Sequence, residues 1–261
     1  MSGSRRQAGA ATRAEAADAT SPALSLVVPV FDEAGNVAPL MDEIAAALAE
    51  HGPFEVIAVD DGSGDATGAE LDAARRRHRW LRVLHHERRR GKSAALVTGA
   101  EAARAPLVAT LDGDGQNDPR DVVRLLTAYR EAAETGRVGL VAGARRRRHD
   151  SVLRRLSSRI ANGVRRRALR DDSPDTACGL KLLPRAVFLT LPRFEGMHRF
   201  IPALVRAQGL QALTIQVDHR PRRAGRPKYG VHNRLWVGLL DTLMVYWLVR
   251  RTRPPGSVTE D

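Results

Sequence analysis

The chain is poor in cysteine, lysine and aromatic residues, and each shortage excludes something. A single cysteine, Cys178, cannot build an intramolecular disulfide or a cysteine-based zinc cluster. That fits a reducing, cytoplasmic setting. Lysine is nearly missing: Lys92, Lys181 and Lys228 are the only ones among 42 Lys and Arg residues, so arginine carries the net charge of +12. Aromatics make up 4% of the chain and show no spaced pattern of the kind that stacks nucleic-acid bases. Residues 1–22 are rich in Ala, Ser, Arg and Thr and hold no apolar stretch to serve as a signal-peptide core, so a disordered tail is expected there. The most apolar segment, Leu235 to Val249, is too short to span a bilayer comfortably and carries Asp241 in its middle.

What is present begins with a hydrophobic fraction of 43% over 261 residues, enough for one substantial core. One domain with extensions is the expectation. The positive charge is compatible with genomic bias, nucleic-acid binding, anionic lipids or phosphorylated substrates, and charge alone does not choose. Its placement is more informative: the arginines crowd at Arg145 to Arg148, Arg154 to Arg170 and Arg220 to Arg226, all in the second half.

From Leu24 the pattern alternates strand and helix. LSLVVPVF reads as a buried strand, followed by helical spacing to Glu50 with Asp32 as its N-cap. FEVIAVDD is a second strand, with Gly62 to Asp65 as turn and cap before a helix to about His78. LRVLHHE is a third strand, Gly91 to Arg104 a small-residue helix, and LVATLDGD a fourth strand. After Pro119 a helix runs to about Thr135, and VGLVAGA makes a fifth strand. Repeated βα units predict a mostly parallel sheet flanked by helices.

In such sheets ligands bind beyond the carboxyl ends of the strands. Acidic residues sit at those ends: Asp32 and Glu33 after the first strand, Asp60 and Asp61 after the second, Asp112 and Asp114 after the fourth. Capping explains any one of them; three on one rim point to a site. Asp112 and Asp114, spaced i, i+2, project to one side of an extended chain and can approach one hard cation, while Gly113 and Gly115 let the backbone bend and a ligand come close. Three other readings fail. Gly91-Lys92-Ser93 resembles half of a P-loop, but His86 stands where the first glycine is needed. DGDGQND could open a calcium hand, but its twelfth position is Val123 instead of Glu. No GxGxxG follows the first strand.

The second half is less regular. A basic helix is expected over Ser151 to Arg170, an irregular segment over DSPDTACGLKL, a helix over His198 to Gln208 and a strand over QALTIQVDHR. PRRAGRPKYG, with its prolines, glycines and cations, reads as a mobile lid. The flanking arginines with Trp236, Tyr246 and Trp247 suit a helix over Leu235 to Val249 lying at a membrane surface, with a core or dimer-interface helix as the alternative.

Taken in order, VVPVFDE, IAVDDGSGD, GKSAA and LDGDGQNDP resemble the family 2 glycosyltransferases of the GT-A nucleotide-diphospho-sugar transferase fold. DGDGQNDP resembles the Asp-x-Asp-x-Gln-x-x-Pro form found in polyprenyl-phosphate sugar transferases such as dolichol-phosphate mannose synthase. Gly143-Ala144-Arg145, Ser158-Arg159, the Asp175 to Lys181 segment and the Arg222 to Tyr229 segment resemble the same family, with Cys178, Leu180 and Pro227 as departures.

The resemblance implies an α/β catalytic domain over residues 23–230. Its nucleotide-sugar half would span 23–145 and its acceptor half 146–230, with a lid at 220–230; an amphipathic interfacial or dimerisation helix over 231–252 and a tail over 253–261 would follow. It implies an inverting, metal-dependent transfer from a GDP- or UDP-sugar to a polyprenyl phosphate. Pro29, Val30, Phe31, Glu33, Asp60, Asp61, Lys92 and Gly113 would bind the nucleotide sugar. Asp112, Asp114 and Gln116 would hold Mg²⁺ or Mn²⁺, and Arg145, Ser158, Arg159, Arg222 and Lys228 the acceptor phosphate. Asp112, Asp114 and Arg145 would be the catalytic residues. Implied partners are the donor, the lipid acceptor and the inner face of the cell membrane, with a homodimer or membrane-protein partner open and no nucleic acid. The competing readings are a family 2 enzyme with a soluble or other lipid acceptor, and a basic nucleic-acid-binding protein.

Overall fold

The computed structural model describes residues 21–145, 169, 173–221 and 234–252. Expectations for the amino-terminal tail, for the basic stretch after Arg145 and for the loop from Arg222 onward fall outside these residues. The first half alternates as β1 (Leu24–Val30), α1 (Val37–Leu48), β2 (Phe54–Asp60), α2 (Thr67–Arg77), β3 (Leu81–His85), α3 (Lys92–Ala102), β4 (Leu107–Thr110), α4 (Arg120–Ala133) and β5 (Val138–Arg145). The second half adds β6 (Lys181–Pro184), α5 (Arg185–Thr190), a 3₁₀ turn (Met197–Arg199), α6 (Ile201–Ala207), β7 (Gln211–Val217) and α7 (Arg234–Arg251).

Seven strands form one sheet in the order β3-β2-β1-β4-β6-β5-β7. β1 pairs in parallel with β2 and β4, β2 with β3, and β5 with β7, whereas β6 runs antiparallel to both β4 and β5. The sheet is mostly parallel, as the βα repeats require. Strand β1 shows why its sequence is apolar almost throughout. Leu24, Leu26, Val28 and Val30 face a core shared with α1, α2 and α4, while Val27 faces the opposite core shared with α3, α5, α6 and α7. Successive side chains alternate faces, so a strand covered on both sides needs apolar residues at both parities.

Three sequence expectations are corrected here. Asp32 does not cap the first helix: α1 starts at Val37, and Asp32, at φ 45°, turns its carboxylate to the Gly64 amide at 2.8 Å. The irregular segment after Asp175 ends in strand β6, wedged between β4 and β5. Four residues closed by Pro184 are too few to show a period, and the strand exists because its partners flank it. The helix expected over His198 to Gln208 is broken at Phe200, and Pro202, lacking an amide hydrogen, stands in the first turn of the separate helix α6.

Helix α7 has two apolar sides. Val245 is buried in the α3/α5/α6 core, and Asp241, the charge in the middle of the segment, pairs with Arg199 at 2.7 Å. Leu240, Leu243, Met244 and Trp247 stand exposed at i, i+3, i+4 and i+7, one face of the helix. Among the described residues no helix is long and apolar enough to cross a membrane.

Leu182, fully buried in β6, tests the importance of the inserted strand. Leu182→Ala should lower the unfolding free energy by about 2–5 kcal/mol, the range for a buried leucine that leaves a cavity. A urea titration showing a loss below about 1 kcal/mol would mean that β6 is peripheral to the core.

Candidate active site

β2, β1 and β4 are parallel neighbours, so their carboxyl ends share one rim. A cleft opens there, lined by Pro29, Val30, Phe31, Glu33, Asp61, Arg89, Lys92, Asp112, Gly113 and Asp114. Every residue expected to bind the nucleotide sugar lies on it except Asp60. That carboxylate turns away to accept the amide and hydroxyl of Ser63 at 3.0 and 2.5 Å, with His85 Nδ1 at 3.1 Å. Asp61 lines the cleft and braces it: Arg90 N donates to its Oδ1 and Gly91 N to its Oδ2, each at 2.8 Å, with His86 Nδ1 also 2.8 Å away. The amides after β1 are fixed in the same way, Asp32 N by Ser63 Oγ at 2.9 Å and Glu33 N by Thr67 Oγ1 at 2.7 Å.

Asp112 stands where several elements meet. Lys92, the first residue of α3, donates its ammonium to Asp112 Oδ1. Burial by itself would raise the Asp112 pKa, but Lys92, with Lys181 and Arg145 beyond it, holds the carboxyl below its ordinary value. The space exists because residue 179 is glycine; a Cβ there would collide with the Asp112 carboxylate. Gly113 is equally confined, since a Cβ would meet Val30 Cγ1 at 2.5 Å and the Pro29 carbonyl at 3.0 Å. Two residues on, Asp114 Oδ1 accepts the amide of Gln116 at 3.2 Å. Gln116 reaches the chain leaving β7, with its Nε2 3.3 Å from both the Arg220 carbonyl and His219 Nε2.

Arg145, at the end of β5, is gripped by Asp175 through Nε at 2.5 Å and Nη2 at 2.9 Å. This bidentate geometry sets the guanidinium plane and leaves the Nη1 edge outside the bridge. Ser158, Arg159, Arg222 and Lys228 lie outside the described residues, so Arg145 is the only member of the expected phosphate-binding group whose place is described.

Sequence reasoning passed over four contributors. Arg89 looks like its neighbours in an arginine run, and nothing local marks it. His219 is identified only by its contact with Gln116; burial and Arg145 lower its pKa against the fields of Asp114, Asp175 and Asp112. Asp175 and Lys181 did carry a signal, because they bound the motif quoted for the second half. The Lys181 ammonium is buried against the carbonyls of Cys178 and Thr176, and that burial pushes its pKa down to about 8.

A mostly parallel α/β sheet with an acidic, cation-braced cleft at its carboxyl rim has that cleft where sheets of this kind hold their ligands. Comparison identifies the class: the family model described as glycosyl transferase family 2 matches residues 25–191, and the chain belongs to that family. It is a glycosyltransferase. Among curated relatives, a dodecaprenyl-phosphate galacturonate synthase of Rhizobium johnstonii is 36% identical over 241 residues, covering 89% of this chain and 69% of that protein. An undecaprenyl-phosphate 4-deoxy-4-formamido-L-arabinose transferase of Edwardsiella ictaluri is 32% identical over 210 residues, covering 80% and 63%. The chain thus spans about two thirds of the length of these relatives.

Solved structures agree on the fold. Glucosyl-3-phosphoglycerate synthase of Mycobacterium tuberculosis superposes with a TM-score of 0.65 at 23% identity, covering 93% of this chain and 84% of its own. A mannosyltransferase of Pyrobaculum calidifontis, in complex with GDP-Man and Mn²⁺, gives 0.61 at 22%, covering 90% and 66%. The architecture is the GT-A fold expected from the motif order.

The segment that carries His219 is tied down by Arg220, which bridges Asp118 and, at 2.6 Å, Glu43. Burial alone would raise the Asp118 pKa, but Arg120 and Arg220 hold it at about 2, below its ordinary 3.8. A depressed carboxylate contributes stability above its unfolded pKa and loses it as the pH falls through the folded one. In urea titrations, the stability gap between wild type and Asp118→Asn should therefore be full above about pH 4 and close towards about pH 2. A gap independent of pH would show that these ion pairs contribute nothing.

Proposed function

We propose that the chain transfers a sugar from a UDP- or GDP-sugar to a polyprenyl phosphate, with inversion at the anomeric carbon, at a membrane surface. The observation that carries the reading is that Asp112, followed by Asp114 and Gln116 after β4, stands in the field of an oriented Arg145 at the end of β5, which Asp175 holds. One set suits a diphosphate with its cation, the other a second phosphate. The names of the relatives, dodecaprenyl- and undecaprenyl-phosphate enzymes, support the acceptor class.

The donor set fits a hard cation. Two carboxylates at i, i+2 and an amide oxygen are compatible with Mg²⁺ or Mn²⁺. Among the described residues no three His, Cys, Asp or Glu side chains form a cage. An open site of this kind leaves positions for water and substrate phosphates, as Mg²⁺ prefers. Asp112, Asp114 and Gln116 would hold the ion, whose positive charge would stabilise the departing diphosphate.

The protein's own groups do the rest. Lys92 keeps Asp112 ionised, and Asp61, with the amides it binds, keeps the donor cleft open. A phosphate monoester is ionised at neutral pH, so its oxygen attacks the anomeric carbon without a general base. The bond to the diphosphate breaks, its electron pair leaves with the diphosphate, and the configuration inverts. Arg145, together with Ser158, Arg159, Arg222 and Lys228, would hold the acceptor in line.

Helix α7 supplies the membrane contact. Its exposed stripe of Leu240, Leu243, Met244 and Trp247 is followed by Arg250, 4.5 Å over the Tyr246 ring, and Arg251, 5.0 Å over Trp247. Apolar residues that end in aromatics and cations suit the acyl-to-headgroup boundary of an anionic leaflet, which supports a peripheral membrane association.

With labelled UDP- or GDP-sugar, undecaprenyl or dolichyl phosphate and Mn²⁺, label should pass into the organic phase, and EDTA should abolish the transfer. Asp114→Ala should lower kcat/KM on the order of 10³-fold with little change in melting temperature. Label found only on water-soluble acceptors would refute the lipid acceptor. Separately, Leu243→Glu and Trp247→Glu should each weaken sedimentation with phosphatidylglycerol vesicles about tenfold. Undiminished binding by the double variant, or a stable dimer through this face, would remove α7 from the membrane contact.

A further inference from the structure

Helix α3 begins without a side-chain cap. Its N-cap position is Gly91, and Lys92 and Ser93 follow at once in the first turn. Lys92 carries the ammonium that reaches Asp112, so the placing of this turn sets where that charge stands. A residue from the second half of the chain holds it. The oxygen of the buried Ser93 hydroxyl lies 2.8 Å from His198 Nδ1 and accepts the His198 amide at 3.4 Å, across 105 residues of sequence. Burial, and then the fields of Lys92, Lys181 and Arg199, lower the His198 pKa and so disfavour a charged ring among those cations.

His198 belongs to the 3₁₀ turn Met197–Arg199, and its two neighbours fix that turn on other sides. Met197 is buried in the core that also takes Ala95 and Leu96 of α3 and Val245 of α7. Arg199 Nη2 donates to Asp241 Oδ2 of α7 at 2.7 Å. Gly196, at φ 83°, admits this pair, since a Cβ there would meet Arg199 Nη2 at 2.7 Å and Asp241 Oδ2 at 3.3 Å. One short turn thus touches the start of α3 and the middle of α7, the helix with the exposed apolar stripe.

We propose that His198 is a positioning residue: through Ser93 it holds the first turn of α3 so that Lys92 stays on Asp112, and the Arg199–Asp241 pair seats the turn that carries it against α7. The inference rests on the reading of Asp112 as part of the transfer site. His198 acts through α3 and not on the substrate. A Lys92 that swings away leaves a partly buried carboxylate without its counter-charge, and puts a loose cation into the cleft that both residues line.

The scarcity of lysine gives a direct readout, because Lys92, Lys181 and Lys228 are the only ones and peptide mass spectrometry reads each separately. The full chain is acetylated with N-hydroxysuccinimide acetate, without substrate or metal. Ser93→Ala and His198→Leu should each raise the rate at Lys92 about tenfold, the effect of losing one hydrogen bond, and the double variant should add no more than about twofold. His198→Asn, whose amide takes the place of Nδ1, should stay within about threefold of wild type, and Asp241→Asn should raise the rate about threefold. Lys181 is buried and should stay protected, reporting an intact core; if His198→Leu exposes it, Ser93→Ala, which removes a single oxygen, decides. An unchanged Lys92 rate in Ser93→Ala would overturn the proposal. In transfer assays Ser93→Ala and His198→Leu should lose about tenfold in kcat with the donor KM within about threefold, and His198→Asn should restore it. Full kcat with a freed Lys92 would overturn the proposal as well. The labelling needs no substrate, so freed Lys92 in a protein that passes sugar to no lipid phosphate would uphold the positioning and sink the transfer reading instead.

Discussion

The Asp112 carboxylate, drawn in among Lys92, Lys181 and Arg145, is the constraint on which the arrangement of the site depends. Those cations come from α3, β6 and β5, so one charge in the fourth strand's end ties the nucleotide half of the chain to the half that follows it. The room for this convergence is provided by Gly179, and the Gly179 carbonyl is itself held by the Thr110 hydroxyl at 2.5 Å. A partly buried ion pair of this sort contributes little net stability against an apolar alternative, but removing one partner strands the other. Its value lies in placement: the carboxylate stays ionised where a phosphorylated ligand is expected to enter.

The same logic of shared partners runs around the rim. Asp61 holds the segment before α3, Ser63 and Thr67 hold the segment after β1, and Gln116 and Asp118 hold the chain that leaves β7. None of these loops is long enough to pack a core of its own. Each is made definite by side chains from a neighbouring strand end, leaving a cleft whose walls are set before any ligand arrives. Helix α7 is attached differently, by Val245 in the core and by the Asp241–Arg199 pair, which accounts for a charge in the middle of an apolar segment.

Much of this was legible in the linear chain. The strands from LSLVVPV to VGLVAGA were readable because a strand covered on both faces must be apolar at every position, and the acidic strand ends because a parallel sheet gathers those ends on one rim. The motif order led to the glycosyltransferase family. What escaped were features without local periodicity. KLLP is a strand only because β4 and β5 lie on either side of it. Asp32 and Asp60 look like ligands in a row of acidic residues, yet their carboxylates are taken up by Gly64 and by Ser63 and His85.

By itself, then, the sequence determined the class of fold and the rim on which the cleft opens, and it marked Asp112 and Asp114, which line that cleft, since hydrophobic period and motif spacing are local properties that survive in one dimension. Only the tertiary structure decided which charges reach one another: Lys92 and Lys181 beside Asp112, Asp175 across Arg145, His219 beside Gln116, and Arg89 over Phe31. These partners lie from 20 to 103 residues apart in the chain or, like Arg89, are hidden among identical neighbours. Their meeting is set by the order in which strands enter the sheet, and no stretch of sequence records that order.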